Sequence, residues 1–287
     1  MKPNADHLSA AERDALLAAL AWQADLGVDE CIGEMPSDRF AEAAAAPPPA
    51  AKPTMQSTKA ANTPAAAPVA NVGAQQHDGV AAARRAAAQA SSLPELHAAM
   101  QAFDGCALKR GAKSTVFADG NPAARVMIIG EAPGAEEDRV GKPFVGRSGQ
   151  LLDRMLAAIG LSRTADDPAK AAYITNTIPW RPGGNRDPAP DESEMMWAFL
   201  ERHIQLAAPE FIVTMGRISA STMMQETVRI TRIHGQWQRP TRAQGRPLLP
   251  TLHPAYLLRQ PAEKAKAWSD LLTLRAALDG SVPPPES

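Results

Sequence analysis

The sequence is poor in cysteine, in aromatic residues and in long apolar runs. Its 287 residues include two cysteines, Cys31 and Cys106, too few for a disulfide framework or a four-thiolate metal site. Phe, Trp and Tyr together make up 5% of the chain. No run approaches the ~18 apolar residues of a membrane helix, and Asp6, Glu12 and Asp14 interrupt the apolar residues near Met1. These shortages predict a soluble, cytoplasmic protein.

The chain also lacks an excess of charge of either sign. It carries 30 Lys and Arg against 31 Asp and Glu, a net charge of −1. An even spread of this charge would argue against nucleic-acid binding. The spread is uneven, because the stretch from Arg229 to Arg259 contains no acidic residue. Its arginines are Arg229, Arg232, Arg239, Arg242, Arg246 and Arg259. Such a stretch is typical of a surface that meets phosphates; the alternative is a solvated basic face.

Proline, at 26 of 287 residues, is in excess and marks the organisation of the chain. Residues 43–80 are rich in Ala and Pro with few large apolar side chains, which predicts a disordered linker. Before it, Ser9 and Glu12 form a capping box ahead of apolar residues at helical spacing. The sequence therefore predicts an N-terminal helical segment (1–42), a disordered linker (43–80) and a folded domain (81–280).

Strands and helices alternate in the predicted domain. Apolar runs predict strands at 125–130, 173–176, 211–215 and 247–252. Amphipathic stretches predict helices at 81–103 with a break at Pro94, and at 149–159, 192–207, 217–226 and 263–278. This alternation predicts an α/β fold, a three-layer α/β/α sandwich with a central four-stranded parallel sheet. Ligands bind such sheets at the carboxyl ends of the strands.

Four residues near the predicted strand ends are candidates for chemistry. Glu131 lies in a Gly-rich turn; its carboxylate would repel a phosphate, so it either positions water or a polar substrate or belongs to an ordinary turn. Phe144 could stack on a planar base or fill the core. Asn176 could read an amide-like edge or cap a turn. His253 could donate to an oxygen that gains charge, or be structural.

A set of motifs then resembles a known family. The segment Gly130 to Leu152 reads GEAPGAEEDRVGKPFVGRSGQLL, residues 173–176 read YITN, and HPAYLLR begins at His253. Together with the RP and NR pairs within 181–186, they resemble the family 4 uracil-DNA glycosylases over about residues 104–278. The resemblance implies an enzyme of base-excision repair that releases uracil from DNA and leaves an abasic site.

The resemblance also implies roles for particular residues. Glu131, Glu137 and His253 match catalytic positions, and Phe144 and Asn176 match uracil-binding ones. Uracil-containing DNA is the expected partner, and the arginines assigned to it are Arg181, Arg186, Arg232, Arg239 and Arg259. We further predict a monomer with no membrane association, and a protein partner for the N-terminal helix.

The sequence departs from the family at its cluster positions. Family 4 enzymes usually bind a [4Fe–4S] cluster through four cysteines. Here Cys106 matches the second cysteine, while Phe103, Trp180 and Met196 occupy the other positions. We predict that apolar packing replaces the cluster and that the protein binds no iron. Ala132 stands where uracil glycosylases of another family place a water-activating aspartate, which leaves the handling of the water open.

Two other functions fit parts of the sequence. One is a uracil- or DNA-binding module of the same fold with weak or no turnover. The other is a hydrolase of free nucleotides. The joint presence of Glu131, Asn176 and His253 favours an enzyme over a binding module, and the basic stretch favours polymeric DNA over free nucleotides.

Overall fold

The computed structural model describes residues 72–183, 186–282 and 284. The predicted N-terminal helix and the first part of the predicted linker lie outside these residues. The described chain begins with helix α1 (Val72–Gln89), which starts inside the stretch that composition assigns to the linker. Alanine buries little surface but has the highest helix propensity. An Ala-rich composition therefore could not locate the end of the linker.

The described strands form one mixed sheet. They are β1 (Asp119–Gly120), β2 (Val126–Gly130), β3 (Ala172–Asn176), β4 (Phe211–Met215) and β5 (Leu248–Thr251). Their order is β1-β3-β2-β4-β5, with β1 antiparallel to β3 and the other pairs parallel. The four predicted parallel strands are confirmed, each within one residue of its predicted bounds. The expectation of only four strands was wrong, because β1 is too short to show an apolar run.

Helices cover both faces of the sheet. After α1 come α2 (Leu93–Ala102), α3 (Ala135–Val140), α4 (Arg147–Ala158), α5 (Pro190–Ala207), α6 (Arg217–Met224), α7 (Ile230–Ile233), α8 (Pro254–Arg259) and α9 (Lys264–Leu278). The predicted helices of the domain are present. The predicted break is also present, but it lies at residues 90–92, and Pro94 is in the first turn of α2. The short α3, α7 and α8 were not predicted, since fewer than two helical turns show no clear periodicity.

Alternate residues of the strands build two separate cores. On β2, Val126 and Ile128 pack with α4 and α9, while Met127 and Ile129 pack with α5 and α6. Burial on both faces explains why the parallel strands read as continuous apolar runs. The three-layer α/β/α arrangement is thus confirmed. In the described part of the chain, no helix has the length and apolar character needed to span a membrane.

A third core lies outside the sheet layers, between α5 and the helix pair α1–α2. Ala83 and Ala87 of α1 and Ala90, just after it, are buried and share this core with Phe199 of α5 and Leu96 of α2. Small side chains at this spacing let the helix backbones approach closely. The helix pair therefore buries a face of α5 that the sheet does not cover.

Buried His203 on α5 makes the fold acid-sensitive. Its ring stacks on Phe117 with 4.4 Å between centroids, and its Nε2 lies 2.9 Å from the Tyr173 hydroxyl. Burial, with a smaller effect of His97, lowers the pKa of His203 from 6.5 to about 3. Below pH 6.5 the unfolded chain protonates this histidine, whereas the folded protein does not until about pH 3. The free energy of unfolding therefore falls as the pH drops through this window.

We expect the His203→Gln variant to lose much of this acid sensitivity. For the wild type, His203 should lower the free energy of unfolding by about 2 kcal/mol between about pH 7 and pH 5. Glutamine does not titrate and can still accept a hydrogen bond from Tyr173. Urea denaturation of both proteins at the two pH values measures the difference. An equal loss of stability in both would show that His203 is not the responsible group.

Candidate active site

A cavity of 760 Å³ opens at the carboxyl ends of the parallel strands. Its lining comes from the segments that follow β2, β3, β4 and β5, which is the edge where parallel sheets bind ligands. Eight of the ten predicted site residues line it. They are Glu131, Glu137, Phe144, Asn176, Arg181, Arg186, His253 and Arg259. The lining does not include the other two, Arg232 and Arg239.

A second hollow, of 430 Å³, lies between α1 and α2. Its lining is mainly alanine, and its charged side chains are the carboxylates Glu95 and Asp104. Carboxylates repel the phosphates of a nucleic acid, whereas the cavity at the sheet edge is lined by several arginines. We therefore place the candidate site in the larger cavity.

Gly130, the last residue of β2, is buried beneath the Asn176 and Phe144 side chains that line the cavity. A Cβ atom added here would lie 2.3 Å from Oδ1 of Asn176 and 2.5 Å from Cε2 of Phe144. Asn176 is the residue paired with Gly130 in the β2–β3 ladder. Only glycine leaves room for both side chains to lie against this backbone. Gly130 begins the segment that resembles the family, but the residues around it do not indicate this packing.

Phe144 belongs to the core and to the cavity at the same time. Its side chain is 5% exposed and packs in the cluster formed by the strands with α4 and α9. It also lines the cavity, where its ring stacks near that of His253 with centroids 5.5 Å apart. The position of Phe144 is therefore compatible both with stacking on a planar base and with filling the core. Its φ of 51° is unusual for a residue with a side chain.

His253 caps helix α8 through one ring nitrogen. Its Nδ1 accepts a hydrogen bond from the backbone N–H of Ala255 at 3.1 Å. In the neutral ring the hydrogen must then be on Nε2. Burial, helped by the charge of Arg259 and opposed by Glu137, lowers the pKa of His253 from 6.5 to about 4. The ring is therefore neutral at pH 7. Its Nδ1 caps the helix, and its Nε2 carries the hydrogen and can donate.

Glu131 lies directly after β2 at the edge of the cavity. Its backbone carbonyl accepts hydrogen bonds from the Thr177 hydroxyl at 2.6 Å and the Ile178 N–H at 3.0 Å, which fixes its main chain against the next loop. Burial and the charge of Asp187 raise the pKa of the Glu131 carboxyl, while Arg217 lowers it. A raised pKa makes the carboxylate a better proton acceptor.

Glu137 accepts three backbone hydrogen bonds. Oε2 accepts from the N–H of Gly134 at 3.1 Å, and Oε1 accepts from Val145 at 3.0 Å and Gly146 at 2.9 Å. These bonds join the loop after β2 to the loop that carries Phe144. These contacts favour a role of Glu137 in shaping the site over a direct chemical role. The sequence alone did not indicate this shaping role.

Arginines at the cavity are held by acidic neighbours. Arg186 binds both oxygens of Glu192 at 2.8 and 2.7 Å, and Arg217 binds Asp187 at 2.9 Å. Arg217 lines the cavity but was not predicted as a site residue. The sequence contains an indication of this role, because Arg217 directly follows the glycine turn at the end of β4.

Part of the basic stretch 229–259 faces the protein interior. Arg242 donates to the carbonyl of Thr222, pairs with Glu194 and lies over the Trp197 ring at 4.4 Å from its centroid. Arg246 donates to the carbonyl of Pro209. These two arginines are structural. The positive charge that residues 229–259 present to a ligand is therefore smaller than the number of arginines suggests.

The positions that match the family's cluster ligands form an apolar contact group. Phe103, Cys106, Trp180 and Met196 are all buried and belong to the core between α5 and α1–α2. The indole N–H of Trp180 donates to the Thr115 hydroxyl at 3.0 Å. Burial raises the pKa of the Cys106 thiol, which disfavours the thiolate. Among the described residues, no group of three or more His, Cys, Asp or Glu could hold a metal ion.

Comparisons with known proteins agree with the motifs. The family model of the uracil DNA glycosylase superfamily matches residues 117–272. The type-4 uracil-DNA glycosylase of Thermotoga maritima is 34% identical over 165 residues, covering 56% of this chain and 80% of that protein. The type-4 enzyme of Pyrobaculum aerophilum is 36% identical over 185 residues, covering 62% and 91%. That of Archaeoglobus fulgidus is 35% identical over 175 residues, covering 58% and 82%.

Proposed function

The chain belongs to the uracil-DNA glycosylase superfamily, and we propose that the cavity at the edge of its sheet is where uracil is removed from DNA. As in its type-4 relatives, the reaction is hydrolysis of the N-glycosidic bond of uracil in DNA, which leaves an abasic site for base-excision repair. One observation carries the assignment of the site: Phe144, Asn176 and His253, from three separate segments of the chain, converge on one cavity.

Uracil recognition is assigned to Phe144 and Asn176. A base must leave the DNA stack to reach such a cavity, and an unpaired or mispaired base does so at lower cost. Stacking of a base on an aromatic ring contributes about 1–3 kcal/mol. The amide of Asn176 offers an acceptor and two donors, which can pair with the edge of uracil. Cytosine presents a donor where uracil presents an acceptor, so the same amide disfavours cytosine.

His253 is assigned to the departing base. Cleavage of the bond leaves positive charge on the sugar and negative charge on the uracil oxygens. A neutral ring whose Nδ1 is engaged by the Ala255 N–H can donate a hydrogen bond from Nε2 to an oxygen that gains charge. The lowered pKa of His253 keeps this donor neutral over the physiological range.

Glu131 is assigned to the attacking water. Its main chain is fixed at the edge of the cavity, and the raised pKa of its carboxyl increases its capacity to accept a proton. Glu137, by contrast, has its oxygens on backbone N–H groups and supports the loop that presents Phe144. We therefore propose Glu131 for the water and Glu137 as a positioning residue.

Phosphate binding is assigned to the arginines at the cavity. Arg181, Arg186 and Arg259 line it, and Arg217 joins them. Arg232 and Arg239 are exposed outside the lining and suit phosphates farther along the DNA strand. Arg239 also donates to the carbonyl of Gly245, which fixes its direction.

The residues at the cluster positions do not fit a [4Fe–4S] cluster. Such a cluster needs thiolates, and Cys106 is accompanied by Phe103, Trp180 and Met196 in a packed apolar group. We propose that this packing holds together the elements that the cluster would connect. The mechanism assigned above uses no metal.

We expect purified protein to be colourless and to contain no iron by elemental analysis. Cys106→Ala should retain folding and uracil excision, because a buried thiol acts there as a small apolar group. A brown protein with a broad absorption band in the visible blue, lost in Cys106→Ala, would contradict the assignment.

Incubation with an oligonucleotide containing a single uracil tests the proposed function. Alkali treatment should break the strand at the abasic site, whereas the matched thymine and cytosine oligonucleotides should remain intact. Wild-type protein that shifts the oligonucleotide on a gel but leaves every base in place would instead indicate a binding module. Release of uracil from free deoxyuridine nucleotides would indicate the nucleotide hydrolase. A monomeric state, cytoplasmic location and a partner for the N-terminal helix stay predictions.

A further inference from the structure

Arg163 lies outside the cavity lining, yet its contacts reach the loop that carries Phe144. Its side chain is 10% exposed. The guanidinium donates from Nη1 to the carbonyl of Pro143 and from Nη2 to that of Phe144, both at 2.9 Å. We propose that Arg163 is a positioning residue that fixes the Phe144 ring for uracil binding. The proposal rests on the proposed function, since it assigns Arg163 to the same site.

Two buried charges clamp one peptide group. The carbonyl of Phe144 accepts from Arg163, and the N–H of the same peptide, on Val145, donates to Glu137 at 3.0 Å. A guanidinium at the oxygen and a carboxylate at the hydrogen fix the orientation of this peptide plane. Charge-assisted hydrogen bonds of this kind are roughly twice as strong as neutral ones.

The clamp acts where the backbone is strained. Phe144 has a φ of 51°, in the left-handed region that costs a residue with a side chain about 1–2 kcal/mol. A Cβ atom on Gly149 would lie 1.8 Å from the Phe144 carbonyl oxygen, so α4 packs directly against this peptide. Such a conformation persists only when its surroundings enforce it.

Arg163 is itself held in place by two carboxylates. Its Nε donates to Asp153 at 2.8 Å and its Nη1 lies 3.2 Å from Asp119. One guanidinium thus serves two carbonyls and two carboxylates. The planar fork of arginine provides donors in fixed directions, which the single ammonium of lysine cannot reproduce. The site therefore requires arginine specifically.

The consequence of the clamp is confined to the base pocket. The ring of Phe144 lies over Gly130 and near His253, so a shift of its backbone would move the surface on which uracil stacks. The arginines assigned to phosphates lie on other segments of the chain, after β3 and in or near α6, α7 and α8. Loss of Arg163 should therefore weaken uracil binding and catalysis without weakening DNA binding.

The experiment compares Arg163→Gln with Arg125→Gln. Arg125 also joins a carboxylate, Glu210, to a backbone carbonyl, that of Leu278, but it lies at the opposite end of β2. In Arg163→Gln we expect inhibition by free uracil to weaken at least tenfold and single-turnover excision to slow by up to about 10²-fold. Affinity for a uracil-free oligonucleotide should not change. In Arg125→Gln, thermal stability should fall while uracil inhibition and excision stay at wild-type values.

Amide hydrogen exchange provides a readout that does not depend on activity. The N–H groups of Val145 and Gly146 should exchange at least tenfold faster in Arg163→Gln and unchanged in Arg125→Gln. Arg163→Lys should give intermediate values, and it serves as the second variant if the glutamine variant does not fold. Unchanged exchange in both Arg163 variants, or equal effects in Arg125→Gln, would overturn the proposal. The two proposals can fail separately. If the wild type neither excises nor binds uracil, the proposed function is refuted. If exchange is still faster in Arg163→Gln, the contact of Arg163 with the Phe144 loop is supported even then.

Discussion

Replacing His253 by serine is expected to slow uracil excision about 10²- to 10³-fold while leaving the protein folded. Removal of a preorganised donor to an oxygen that gains charge costs this much in other enzymes, about 3–4 kcal/mol of transition-state stabilisation. Serine keeps the helix cap, because its oxygen can accept the Ala255 N–H that His253 Nδ1 accepts now. It cannot reach the cavity as a donor. Single-turnover excision of a uracil oligonucleotide measures the effect.

Alanine at the same position separates the two functions of the side chain. His253→Ala should lose as much activity as the serine variant but should also be less stable by about 1 kcal/mol, because α8 loses its cap. Thermal denaturation of the two variants measures this difference. A serine variant that excises uracil at the wild-type rate would show that His253 is a structural cap only.

Replacing Gly130 by alanine should reduce excision by about 10²-fold, although it alters none of the side chains assigned to uracil or to the reaction. The added methyl would lie within 2.5 Å of both the Asn176 amide and the Phe144 ring, so at least one of them must move. Phe144 is packed into the core and its backbone is clamped, which leaves Asn176 as the group that yields. Misplacement of a contacting group by about 1 Å is enough for such a loss.

Gly111→Ala is the matched control for Gly130→Ala. A Cβ at Gly111 would meet no atom within 4 Å, and its φ is not in the left-handed region. Its stability and activity should match the wild type, since exposed substitutions away from special features change stability by less than about 0.5 kcal/mol. The Gly130 variant should also bind free uracil less tightly while keeping its affinity for uracil-free DNA. Wild-type uracil binding by Gly130→Ala would show that the Asn176 and Phe144 side chains can adapt to the added methyl group.

Residue patterns were sufficient to predict the parallel sheet and the sheet edge at which the candidate cavity opens. Runs such as 211–215 are apolar on both strand faces, and the loops after β2, β3 and β5 carry polar residues between Gly and Pro. Because the carboxyl ends of parallel strands meet at one edge, the sequence predicts that Asn176 and His253 lie close together. The order of the strands in the sheet was not needed for this step.

The supporting contacts could not be predicted, because they join residues far apart in the chain. Arg163 and Phe144 are linked only by folding, and nothing in the residues around Arg163 distinguishes it from a surface arginine. Arg242 illustrates the reverse error, since it was counted with a basic surface but its side chain is largely buried over Trp197. Charge counts along a sequence carry no information on the direction of a side chain.

The helix pair α1–α2 shows that the family model and the folded core begin at different places in the chain. The superfamily model matches from residue 117, but the core that covers Phe199 includes residues as far back as Ala83. A gene fusion or domain exchange cut at the shared segment would carry the whole cavity and leave an apolar face of α5 in water. The smallest transferable repair module is therefore larger than its family signature.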